Sequence, residues 1–172
     1  MKIRNGFVSN SSSSSFIVAF PSVPNTVEEL QEMIFGDEKI YPNPYIWGAN
    51  DRYGWPAEEV AETVWKDLQS RGTITREQAL EAAQNGYLDD ADRPEYPSHT
   101  IQDPELCAKA WDEYSAKSDA ANRTVAEKFL DKVPQGHVLA EFEYSDNDGP
   151  YFTALEHGPL FMKLLHLRVS HH

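Results

Sequence analysis

The sequence has one cysteine, Cys107, among 172 residues, so no disulfide within the chain and no cysteine-rich zinc site can staple it. Its stability must come from packing. Long hydrophobic runs are also missing. The longest near the start, residues 16–20, is far shorter than the roughly 18 residues of a membrane span and too short for a signal-peptide core. Basic residues are scarce, with 15 Lys and Arg against 28 Asp and Glu for a net charge of -13. Proteins grip phosphate backbones with Lys and Arg, so direct nucleic-acid binding is disfavoured. These shortages predict a cytoplasmic protein with no membrane contact, and the sign of the charge favours docking on a basic partner.

What is present is enough to fold. Hydrophobic residues make up 40% of the chain and aromatics 12%, while a mean hydropathy of -0.59 points to a polar surface. The length suits one domain over residues 1–172 rather than two separate cores. Charge is uneven: residues 26–133 hold 23 acidic and 11 basic side chains, while residues 1–25 hold only Lys2 and Arg4.

Three zones follow one another. In residues 1–20 a serine run, Ser11, Ser12, Ser13, Ser14 and Ser15, leads into Phe16-Ile17-Val18-Ala19-Phe20, which Pro21 and Pro24 terminate. An apolar run of this length, rich in β-branched and aromatic residues, predicts a buried central strand. Residues 26–133 read as acidic helices. Thr26 with Glu29 and Thr75 with Gln78 form capping boxes, Pro56 opens a helix with Val60, Val64 and Leu68 on one face, and Gly36 and Gly72 serve as stops. Asp103-Pro104 opens the longest pattern, Cys107, Trp111, Tyr114, Ser118, Ala121, Val125 and Phe129, which fits one helix or two joined near Ser118. Cys107 on this stripe reads as a small core residue.

In residues 137–172 the period changes to two. Val138, Ala140, Phe142 and Tyr144 alternate with Leu139, Glu141 and Glu143, and Leu165, Leu167 and Val169 alternate with His166, Arg168 and Ser170. The sum is an α+β domain: a small, mainly antiparallel sheet of N- and C-terminal strands, with about four helices from the middle packed on one face.

The opening, Met1-Lys2-Ile3-Arg4-Asn5-Gly6-Phe7-Val8-Ser9-Asn10 with the serine run and Phe16, resembles an N-terminal signature of small uncharacterised proteins of tailed bacteriophages and their bacterial hosts. Phe142-Glu143-Tyr144-Ser145-Asp146, Leu155-Glu156-His157-Gly158 and the ending from His166 to His171 are similar to a tail found in such proteins. The resemblance implies a phage or prophage origin and supplies no catalytic residue.

Several groups are candidates for chemistry. The serines could hold an anion or accept a modification, but no Gly-Lys-Ser/Thr accompanies them, and hydroxyls bonded to neighbouring backbone are the plainer reading. His137, His157, His166, His171 and His172 lie close in sequence to acidic residues, and His157, His166, Glu141 and Asp148 are the set that could bind a divalent transition metal. The plainer reading pairs Glu141 and Glu143 with His166 and Arg168 across strands. Glu156-His157 could act as carboxylate and base, although neighbours on extended backbone point apart. Asp146-Asn147-Asp148-Gly149 reads as a hairpin turn. Tyr41, Tyr45, Trp47 and Trp55 crowd a Pro- and Gly-containing stretch that either caps the core or anchors a partner.

The leading expectation is a phage-encoded accessory protein that needs no cofactor and binds a host or phage protein. It would use Glu58, Glu59 and Glu62 together with Tyr45, Trp47 and Trp55, for instance to inhibit a defence or nucleic-acid-processing protein. The alternative is a small metal-dependent enzyme or metal-binding protein.

Overall fold

A strand that is apolar at every position needs cover on both sides, and this requirement organises the molecule. The computed structural model describes residues 13–45, 54–98 and 100–171. In chain order it contains β1 (Ser13–Phe20), α1 (Val27–Phe35), β2 (Ile40–Tyr41), β3 (Trp55–Pro56), α2 (Ala57–Arg71), α3 (Arg76–Gln84), α4 (Pro104–Lys132), β4 (Val138–Ser145), a short 3-10 helix (Asp146–Asp148), α5 (Pro150–His157) and β5 (Leu165–His171). The three long strands form an antiparallel sheet in the order β4-β1-β5, and β2 pairs with β3 in a two-stranded ribbon. The architecture is α+β, with the N-terminal strand joined to C-terminal ones.

Local chemistry sets the helix ends. Thr26 accepts from the Glu29 amide at 3.2 Å, but the Glu29 carboxylate returns to the amide of Asn25 at 2.7 Å rather than to Thr26. Thr75 and Gln78 close both arms of their box. At α4, the Asp103 carboxylate accepts from Glu105 and Leu106, and Pro104 occupies the first turn, where no amide hydrogen is needed. The long pattern is a single helix.

Helices cover both faces of the sheet, not one as the sequence predicted. Phe16, Val18 and Phe20 point with Ala140, Phe142 and Tyr144 into a core built with α1, α2 and α5. Ile17 and Ala19 point with Leu139 and Val169 into a second core built with α3 and α4. Period two accounts for this, since alternate residues of one apolar strand must enter opposite layers. Residues 150–157 also depart from expectation. The Asp146–Gly149 stretch makes no hairpin but runs through the 3-10 helix into α5, where Pro150 sits in the first turn.

Two glycines allow close approaches that fix the site geometry. A Cβ on Gly158 would strike the Tyr41 hydroxyl, which donates to the Ala154 carbonyl at 2.8 Å. Burial, with the nearby Tyr151 hydroxyl adding to it, pushes this tyrosine well above its usual range. A Cβ on Gly86 would lie 2.5 Å from Val169 Cγ1. There Tyr87 and Ser170 exchange backbone bonds of 2.6 and 2.8 Å, which pin the chain after α3 to β5. No helix among the described residues is long and apolar enough to cross a membrane.

Candidate functional site

Polar chemistry gathers in two places, one closed and one open. The closed one joins β1, α5 and β5. Ser14 is fully buried on the face that carries Phe16, and its Oγ accepts from Arg168 Nε and Nη2 at 3.2 and 3.1 Å. The same hydroxyl donates to Glu156 Oε1 at 3.3 Å, so one serine links a guanidinium to a carboxylate. Glu156 has no exposed surface, and its Oε2 has no hydrogen-bond partner among the described residues.

His157 completes this junction. Its Nδ1 lies 3.3 Å from Arg168 Nη2, and a guanidinium can only donate, so the neutral ring carries its proton on Nε2, 3.5 Å from Glu156 Oε1. Adjacent residues meet here because α5 is helical; extended backbone would have parted them. The Tyr45 and His157 rings meet edge-to-face with their centres 5.9 Å apart. The Tyr45 hydroxyl is pushed above the usual tyrosine range first by burial, then by the charges of Glu156 and Asp146, with Arg168 opposing.

Ser15, one residue on, points to the opposite face and bonds His171 Nε2 at 3.0 Å. Ser14 and Ser15 therefore engage side chains inside a central strand, where the plainer sequence reading had them on backbone at a linker or edge. Ser11 and Ser12 lie outside the described residues, and Ser13 opens β1 opposite Ser145 and His171.

The metal set does not assemble. Glu141 pairs with Ile17 and His166 with Val18, which places them on opposite faces of the sheet, and Asp148 sits in the 3-10 helix. Among the described residues no three His, Cys, Asp or Glu side chains gather as ligands. The expected pairs of Glu141 and Glu143 with His166 and Arg168 are also absent, because β1 lies between β4 and β5. Glu143 instead approaches Arg71 at 3.8 Å, and His166 Nδ1 lies 3.0 Å from the Leu164 carbonyl. His137 precedes β4, and His172 lies outside the described residues.

Of the predicted interaction residues, Glu58, Glu59 and Glu62 are exposed on α2, with Lys66 3.6 Å from Glu62. Trp55 is half-buried against Tyr151 at 5.6 Å and caps the core, as does buried Tyr41, while Tyr45 is exposed. Trp47 lies outside the described residues.

The open place is an arm that sequence reasoning missed. Residues 104–121 of α4 contain no fully buried side chain; burial in this helix begins at Asn122. Cys107 is therefore half-exposed on the arm and not a core residue. The irregular chain after Tyr87 lies along the arm and builds an aromatic cluster with it. Tyr96 stacks on Tyr114 at 4.9 Å, and Trp111 meets Tyr96 and Tyr114 edge-on at 6.3 and 5.7 Å. Tyr87 and Tyr96 share a hydroxyl hydrogen bond, which draws Tyr87 below and pushes Tyr96 above the usual tyrosine range.

Arg93 lies 3.4 Å above the Tyr87 ring, with Nη2 3.5 Å from Asn122 Oδ1. Asn122 donates in turn to the Gly86 carbonyl at 2.7 Å. Behind Tyr87 and Tyr114 is a cleft of about 540 Å³ whose walls include Asp119, Asn122 and His171. The spacing of Trp111, Tyr114 and Ser118 was the visible signal. Its meaning depended on Tyr87 and Tyr96, which come from a segment without periodicity.

No protein-family model, curated protein or solved structure matches the chain. At the junction Ser14 and Glu156 present no surface to a substrate, and their hydrogen bonds tie β1 to α5 and β5. The arm is open and can contact another molecule.

Proposed function

We propose that the protein acts by binding another protein, docking an acidic helical surface on a basic one. The observation that carries this reading is the α4 arm, a helical stretch whose half-covered apolar stripe contributes nothing fully buried to its own core. Residues 87–121 hold nine acidic and three basic side chains, and exposed Glu58, Glu59 and Glu62 on α2 add to the same sign. Surfaces of this kind steer basic partners and repel phosphate. The resemblance of the opening to small phage proteins favours a phage-encoded accessory role toward a host or phage protein, with inhibition of a defence or nucleic-acid-processing protein as the expected outcome.

Capture from bacterial lysate tests the reading. Partners held by wild-type protein at low salt should elute at about 0.5 M NaCl, where charges are screened beyond a few ångströms. They should also be lost when Glu58, Glu59 and Glu62, or Asp89, Asp90 and Asp92, are changed to Lys. Capture that survives both treatments overturns acidic docking.

A further inference from the structure

The aromatic cluster already shows what it can hold. Arg93, from the same chain, lays its guanidinium 3.4 Å over Tyr87, close enough for cation–π attraction, and Asn122 fixes its edge. One ring of the cluster is thus occupied by a planar cation. Tyr114 is half-covered by the stacked Tyr96, and the open rings are Tyr96 and Trp111, 58% and 41% exposed.

We propose that Tyr96 and Trp111 form a seat for an arginine side chain presented by a basic protein segment. This deepens the acidic-docking reading and rests on it. Two observations select the occupant. The rings give a π surface that favours a delocalised, weakly hydrated guanidinium over a compact ammonium. The excess of acidic over basic side chains in residues 87–121 supplies a negative field around those rings. The same field argues against the competing occupants: a phosphate-bearing ligand is repelled, and a second copy of this chain brings another net charge of -13.

The test uses the full chain and three synthetic peptides of matched length, one of alternating Arg and Gly, one of Lys and Gly, and one of Glu and Gly. Binding is followed by calorimetry and tryptophan fluorescence at low salt. The Arg peptide should bind most tightly and the Glu peptide not at all. Trp111→Leu in the arm and Tyr96→Ala in the chain lying along it should each weaken Arg-peptide binding about tenfold while leaving circular dichroism unchanged. If both variants bind the Arg peptide like wild type, or the Lys peptide binds as tightly as the Arg peptide, the seat is overturned while acidic docking stands. If neither basic peptide binds and lysate capture is also insensitive to salt, the docking reading falls together with the seat.

Discussion

Ser14 carries more of this structure than its size suggests. A buried hydroxyl that accepts two guanidinium bonds and donates one to a carboxylate leaves several groups unsatisfied when removed. Ser14→Ala should therefore cost about 2 kcal/mol in urea unfolding, whereas Ser13→Ala, at the half-exposed start of the strand, should fall within about 0.5 kcal/mol of wild type. Equal effects would mean that the junction is not a fastener. The serine run advertised hydroxyls in the sequence, and period two placed Ser14 and Ser15 on different faces. Nothing in the sequence near Ser14 named Arg168 or Glu156, which lie 154 and 142 residues away.

Among the elements, those with strong local signals were legible. The apolar run 16–20, the two capping boxes, Pro56, Asp103-Pro104 and the alternation in residues 138–145 each mark an element in the fold. The elements that escaped are α5 and the β2–β3 ribbon: Asp-Asn-Asp-Gly is turn chemistry and the eight residues after it are too few to show a helical period, while strands of two residues show no alternation. Cover on both faces was implicit in an apolar strand without alternation. The α4 helix divides energetically: residues 122–132 pack on the second core and residues 104–121 do not. Native-state hydrogen exchange should show the amides of residues 108–118 exchanging at least tenfold faster than those of residues 124–131, because opening the arm exposes little apolar area. Uniform protection along the helix would contradict the described packing.

For the whole molecule, the excess of 28 acidic over 15 basic residues works against compactness as well as toward a partner. The described ion pairs, such as Arg123 with Glu127 at 2.8 Å and Lys163 with Glu38 at 2.9 Å, are largely exposed and offset little of the repulsion. Raising NaCl from about 0.02 to about 0.3 M should lift the melting temperature by a few degrees, since salt screens like charges spread over the surface. A melting temperature that falls with salt would show that favourable pairs dominate instead.

The placement of β1 between β4 and β5 also constrains how the chain reaches this state. Both of its neighbours come from residues synthesised more than a hundred positions later, so the apolar stretch 16–20 leaves the ribosome long before anything can pair with it. Closing such distant loops makes folding slow relative to a helical bundle of this size, and until closure the strand is open to aggregation or chaperone capture. Expression at reduced temperature, or with a chaperone supplied alongside, should for that reason raise the yield of folded protein more than any change to the helices.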